Sequence, residues 1–164
     1  MPQECLVPLP EGLPVSDASL VEPLAVSWHA LQKISAVPGE RVLVVGGGSI
    51  GLMAVAAARA LGLEVDLESR HDHQRAAGER LGAGTPSGEY EVLVEAAGTD
   101  SALASCVRRA APGARIAMAG FAQGDRKVPG MAFLMKELTM VGCSCYDNGS
   151  GGHEFAQEIG RAHV

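Results

Sequence analysis

Paired cysteines, surplus positive charge and long apolar runs are all scarce in this sequence. The four cysteines, Cys5, Cys106, Cys143 and Cys145, include no C-x-x-C pair and no second cluster. That excludes a disulfide framework and a self-contained zinc site, and makes a reducing, cytoplasmic setting the expectation. The 13 Lys and Arg are outnumbered by 19 Asp and Glu, for a formal charge of −6. A general nucleic-acid or anionic-membrane binder is excluded on that balance, because nothing would neutralise the phosphates. No apolar run nears the ~20 residues a membrane span needs, and no charged-then-apolar signal segment opens the chain, so a soluble protein is expected. Internal repeats and low-complexity tracts are missing too. What remains is 164 residues at 47% hydrophobic, enough for one medium domain with a real core.

The opening "MPQECLVPLPEGLPV" carries four prolines and reads as an extended arm. A helix is expected from Ser16 or Asp17, either of which could cap it. Leu20, Val21, Leu24, Ala25, Trp28 and Leu31 recur at helical spacing as its buried face. After the turn "AVPGE", the run "RVLVV" has the continuous apolar, β-branched character of a strand buried on both faces of a parallel sheet. Strand and helix then alternate. "SIGLMAVAAARAL" is Ala-rich and helical, "LEVDLES" is a strand, and "HDHQRAAGERLGA" is a helix with Asp72 as its cap and Gly82 closing it. "YEVLVEAAG" is a strand, "DSALASCVRRA" a helix starting at Asp100 or Ser101, and "ARIAMAGF" and "ELTMVGCSC" are strands. This order predicts an α/β fold, a Rossmann-type doubly wound parallel sheet. "GAGTPSG" is too short for a further strand and helix, so one edge strand is expected to be reduced or missing.

Gly46, Gly48 and Gly51 have G-x-G-x-x-G spacing between the first strand and the helix after it. Gly46 permits a tight turn, Gly48 lets backbone approach a pyrophosphate, and Gly51 lets the helix lie close to the sheet. Amides around Ser49 and Ile50 would face the anion at the positive end of the helix dipole. The rival without chemistry is a glycine turn needed only for packing. A methyltransferase using S-adenosylmethionine is disfavoured, because no acidic residue stands at the start of the turn. At the end of the second strand, in "LESRHDHQR", Ser69 occupies the slot where an acid would bind a ribose diol, and Arg70 follows. A hydroxyl beside a guanidinium suits a 2′-phosphate better, so NADP(H) is favoured over NAD(H). Two alternatives stay open: Arg70, His71 and Arg75 as solvated surface residues, and Glu68 turning inward to restore NAD.

The stretches "LVPLPEGLPVSDASLVEPLAVSWHAL", "VLVVGGGSIGLMAVAAARALG", "HQRAAGERLGA", "LVEAAGT", "PGARIAMAGF" and "KELTMVG" together resemble the coenzyme domain of the zinc-containing medium-chain dehydrogenase/reductase superfamily. The resemblance is nearest its sorbitol and threonine dehydrogenase-like branch, and the stretches cover nearly the whole chain in the family's order. It implies interconversion of a small-molecule alcohol and carbonyl by hydride transfer, with the substrate oxygen on zinc. It also implies that Ala97 and Gly98 pass near the cofactor's ribose, and that Ala119 and Gly120 border the nicotinamide. Glu22, in "EPLA", corresponds to a position facing the catalytic metal, against the plain alternative of a helix-surface glutamate without a role. Val26, one turn on, would pack towards the nicotinamide, and His29 would be a helix-packing histidine.

The family's remaining zinc ligands belong to a preceding catalytic domain that is not in this sequence. Residues 1–35 then read as an arm and linking helix from that domain, and 36–157 as the NAD(P)-binding domain. Met1 resembles an internal methionine. "EIGRAHV" can be encoded by GAG ATC GGA AGA GCA CAC GTC, which resembles the opening of a common sequencing adapter, so 158–164 are expected to be non-native and the fold truncated at its C-terminus. The plain alternative for that tail is the start of a last helix. No catalytic residue is expected within the chain itself, and the family implies a homo-oligomer for the intact protein. Alternatives to a zinc-dependent dehydrogenase are a zinc-free quinone or enoyl reductase of the same superfamily and a non-catalytic dinucleotide-binding module.

Overall fold

The apolar run Arg41–Val45 forms β1, and it lies at the centre of the molecule because its side chains from Val42 to Val45 are all buried. A computed structural model describes residues 8–9 and 11–146; Cys5, most of the proline-rich arm and residues 158–164 lie outside them. Strands β2 (Glu64–Glu68) and β3 (Tyr90–Glu95) pair with β1 on its two sides, both in parallel. Strands β4 (Ala110–Met118) and β5 (Thr139–Gly142) extend the sheet beyond β3, giving the order β2-β1-β3-β4-β5. Every ladder is parallel, so each connection must cross over the sheet, and helices α1 (Val21–Lys33), α2 (Ser49–Ala60), α3 (Asp72–Arg80), α4 (Asp100–Arg109) and α5 (Gly130–Met135) lie between and around the strands.

Two apolar layers result. One gathers Trp28, Leu31, Val44, Val55, Leu67 and Val94 between the sheet and α1 with α2. The other gathers Leu43, Leu93, Leu103, Val107 and Ile116 between the sheet and α4. This is the doubly wound arrangement expected from the alternation of elements, with helices on both faces of a parallel sheet. The expected weak edge is also present. Among the described residues the pairing beyond β2 is a single bridge between Asp66 and Gly84, with Gly84 N–H donating to Val65 O at 2.9 Å and Leu67 N–H to Gly84 O at 3.2 Å.

Several local expectations need correction. Leu20, expected on the buried face of the first helix, is exposed, because Asp17–Leu20 winds as a 3₁₀ turn whose tighter pitch rotates it away from the core. Asp72 is the first residue of α3 and makes no side-chain cap; His71 occupies the cap position. For α4 the cap is Thr99, whose hydroxyl accepts from Ala102 N–H at 3.2 Å, one residue ahead of the expected Asp100 or Ser101. β4 begins at Ala110, earlier than expected, and shifts register against β3 between Tyr90 and Val92, which accommodates Pro112 and Gly113. The short helix α5 was not anticipated, and β5 is shorter than expected.

A candidate dinucleotide cleft

The order in which strands are added to the sheet reverses between β1 and β3, since β2 lies on one side of β1 and β3 on the other. At such a switch point the loops leaving the strands part and open a crevice at the strands' carboxyl ends. Here the crevice is about 810 Å³. Its floor is the turn Gly46–Gly48; one wall is Glu68–His71 with Gln74, and the other is Ala96, Ala97 and Thr99 with the α4 face bearing Ser101, Ser105 and Arg108.

The glycine turn is shaped by close approaches that the sequence had assigned to it. Gly46 has φ +116°, and a Cβ there would meet Ala97 N at 2.8 Å and Ala96 C at 2.9 Å, both backbone atoms that cannot retreat. Gly51, on the first turn of α2, lies against Gly46, whose carbonyl oxygen would clash with any added Cβ. Gly48 differs, because a Cβ there would enter open space. Gly48 is therefore not required by packing, whereas Gly46 and Gly51 are required by the chain itself. Ser49 and Ile50 open α2 directly behind it, with the Ile50 carbonyl accepting from Ser27 Oγ at 2.9 Å.

At the other end of the crevice, Ser69 Oγ donates to Gln74 Oε1 at 2.6 Å, and Arg75 donates to the Ser69 carbonyl at 2.8 Å while pairing with Asp72. Arg70 and His71 are exposed and line the crevice. Glu68 also lines the crevice, with its carboxylate bonded to α4. Its Oε1 accepts from Ser105 Oγ at 2.5 Å and its Oε2 from Arg109 Nε at 3.1 Å, both on α4.

The sequence did not single out Glu95, which is wholly buried. Its Oε1 accepts from Ala97 N–H at 3.0 Å and Gly98 N–H at 2.8 Å, while Oε2 pairs with Arg126 at 3.3 Å. Its own carbonyl accepts from the N–H of Ala119 and of Gly120, at 2.9 and 2.7 Å. One residue thus ties together the two loops containing Ala97–Gly98 and Ala119–Gly120. Gly98, with φ +68°, leaves no room for a Cβ against Phe121, and Gly120 leaves none against Gly98. A buried carboxylate at a strand end, beside two glycine-bearing loops, was the available signal. The crevice wall includes Ala97, whereas Gly98, Ala119 and Gly120 form the packed layer beside it.

Glu22 is exposed on the first turn of α1, and Val26 is half-buried one turn further on. His29 is buried in the same helix, as expected of a packing residue. Among the described residues no three His, Cys, Asp or Glu side chains are grouped to hold a metal ion. Glu22 thus offers one carboxylate where a catalytic zinc needs about three protein ligands, so the described residues do not by themselves fit a zinc ion. No helix among them is long and apolar enough to cross a membrane.

No family model matches the chain. Among curated proteins it is 32% identical to the D-xylulose reductase of Scheffersomyces stipitis, over 88% of this chain and 45% of that protein. It is 30% identical to an uncharacterised zinc-type alcohol dehydrogenase-like protein of Haemophilus influenzae, over 86% of this chain and 46% of that one. Among solved structures, a short chain alcohol dehydrogenase from Escherichia coli CFT073 complexed with NADH superposes with a TM-score of 0.88 at 22% identity, covering 99% of this chain and 52% of that one. Galactitol-1-phosphate dehydrogenase from Escherichia coli gives a TM-score of 0.86 at 24% identity, covering 97% and 52%. The chain spans about half the length of the curated relatives it matches. By its sequence relatives the chain belongs to the zinc-type medium-chain dehydrogenase/reductase superfamily, a family of oxidoreductases.

Proposed function

We propose that this chain is the nicotinamide dinucleotide-binding part of a zinc-dependent alcohol or polyol dehydrogenase that interconverts alcohol and carbonyl by hydride transfer, with NADP(H) favoured over NAD(H). The observation that carries the reading is Gly48, which lines a crevice at the sheet's switch point and where an added Cβ would meet nothing within 4 Å. A backbone that could hold a side chain there without clash, yet has none, fits close approach by a pyrophosphate.

In this reading Gly46, Gly48 and the N-terminal amides of α2 at Ser49 and Ile50 cradle the pyrophosphate, aided by the helix dipole. Gly51 keeps α2 close enough for those amides to serve. Ser69 and Arg70 take the adenosine end, Arg70 as a bidentate donor to a 2′-phosphate. Ala97 and Gly98 lie along the ribose, and Ala119 and Gly120 border the nicotinamide, their backbone set by Glu95. When bound, the nicotinamide supplies the carbon that accepts or donates hydride. Among the described residues Glu22 has no companion ligands to complete a zinc site. On its own the chain then binds cofactor without turnover, as a cytoplasmic protein whose intact parent is a homo-oligomer acting on small alcohols or carbonyls.

Titrating the chain with NADPH and NADH, followed by nicotinamide fluorescence, tests the reading. Saturable binding of both, tighter for NADPH, is expected. Tighter NADH binding overturns the assignment of Ser69 and Arg70, and no binding of either overturns the cofactor reading. For Glu22, a parent chain with its catalytic domain should lose zinc and turnover on Glu22→Ala; unchanged zinc content would remove Glu22 from the site.

A further inference from the structure

Glu68 is a carboxylate on the crevice wall, and it is held. Ser105, buried at 2% exposure, has one hydroxyl hydrogen, which goes to Glu68 Oε1 at 2.5 Å. The Ser105 oxygen accepts in turn from Arg108 at 2.9 Å, which fixes the direction of that hydrogen. Arg109 Nε closes the arrangement from the next residue of α4, at 3.1 Å from the other carboxylate oxygen. Glu68 and Arg109 side chains are each 31% exposed, and Glu68 lines the crevice. The charged side chains lining the crevice are Glu68, Arg70 and Arg108. With Glu68 neutralised by Arg109, the remaining charge at that end is positive.

We infer that Ser105 and Arg109 are specificity-determining positioning residues, which hold the Glu68 carboxylate against α4 and so keep an acid away from the 2′ position of the cofactor's ribose. The inference rests on the cofactor reading above. Glu68 comes immediately before Ser69, and a carboxylate released from α4 would present a full negative charge at the same end of the crevice. A free acid accepts from a ribose diol and repels a phosphate carrying about −1.5 to −2 charge. The chain's preference between the two cofactors is then governed by α4, through the two side chains that hold Glu68.

The test is fluorescence titration of the full chain with NADPH and NADH, reading the ratio of the two dissociation constants. In Arg109→Met the ratio of Kd for NADPH to Kd for NADH should rise roughly fivefold, the scale of one unit charge acting on a phosphate through a largely aqueous crevice. Adding Glu68→Gln to Arg109→Met should return the ratio to that of the wild type, since the charge is then gone. Arg109→Lys, which keeps the positive charge, should change the ratio little. An unchanged ratio in Arg109→Met that still binds NADH overturns the inference alone, because the cofactor reading survives it. A wild-type chain that binds neither cofactor overturns the cofactor reading, and the inference with it. Should Arg109→Met fail to fold, Ser105→Ala, which removes one of the two restraints, should raise the ratio roughly twofold; no rise in that variant overturns the inference.

Discussion

Gly48 and Gly51 lie three residues apart in one motif, yet alanine at each should do opposite things. At Gly51 an added Cβ would lie 2.8 Å from the Gly46 carbonyl carbon, with the carbonyl oxygen closer still. Carbon atoms need about 3.5–4.0 Å, so α2 must withdraw by roughly 1 Å from the turn. The obstacle is backbone in a turn already tight against Ala96 and Ala97, so no side-chain rotation relieves it. Overpacking of this kind costs about 1–3 kcal/mol, and with a rigid obstacle the upper end applies. Alanine in place of glycine inside a helix returns about 1 kcal/mol of that. The net for Gly51→Ala is a loss of about 2 kcal/mol, or a fall in melting temperature of roughly 4–8 °C for a chain this size. Gly48→Ala meets nothing within 4 Å. Its cost is the poorer capping ability of alanine, about 1 kcal/mol or less, while NADPH affinity should drop at least tenfold as the Cβ fills the space left for the pyrophosphate. Urea unfolding followed by circular dichroism measures the first quantity, and fluorescence titration the second. Gly51→Ala with stability within 0.5 kcal/mol of wild type would refute the close-approach argument, and Gly48→Ala with undiminished NADPH affinity would refute the role given to the open space.

Other consequences can be checked in the same assays. Glu95→Ala removes the buried carboxylate that serves the N–H groups of Ala97 and Gly98 and pairs with Arg126, which keeps Asp100 at 3.5 Å and the Thr99 carbonyl as partners; a loss of about 1–3 kcal/mol is expected from the donors left unsatisfied, and a loss under about 0.5 kcal/mol would show that the carboxylate is dispensable. Stability should also fall in alkali. Burial, reinforced by the charge of Glu95, raises the Cys106 thiol, and burial with the hydrogen bond to Asp66 raises the Tyr90 phenol. Folded protein therefore holds these protons to higher pH than unfolded protein does. Their contribution is complete below the ordinary thiol value of 9.0 and is lost as pH climbs past it. Urea midpoints taken between about pH 8 and pH 10.5 should decline, and Cys106→Ala should flatten that decline; an identical slope in the variant would exclude the thiol.

The architecture was legible because each element announced itself locally. A continuous apolar run before three glycines can only be a central strand entering a tight turn, and the short "GAGTPSG" segment foretold an edge reduced to the Asp66–Gly84 bridge. The cleft's glycines and its Ser69–Arg70 end were legible for the same reason, since spacing along one strand-turn-helix unit fixes them. The clamp on Glu68 was not, because Ser105 and Arg109 lie 37 and 41 residues away and meet it only when α4 crosses the sheet. Glu95 looked like an unremarkable acid at a strand end until Arg126, 31 residues further on, came back to it. Thr99 lost out in the sequence to two neighbours equally able to cap, and only geometry separates them. Helix α5 escaped because Met131, Leu134 and Met135 are exposed, so the alternation of buried and polar faces that marks a helix is missing there.

The turn Gly46–Gly48 gives up its backbone freedom before any ligand arrives. Three successive glycines have more backbone freedom to give up than any other tripeptide. Here that freedom is surrendered during folding: the Gly46 N–H already donates to Glu68 O, the Gly48 carbonyl already accepts from Leu52, and Gly51 leaves α2 no slack to shift. A ligand arriving at this loop meets a shape that is already set, so little of its binding free energy goes into ordering the protein. Affinity at the glycine loop and the stability of the whole domain are thereby coupled, and substitutions that loosen the fold around α2 should weaken binding even where they touch no part of the cleft.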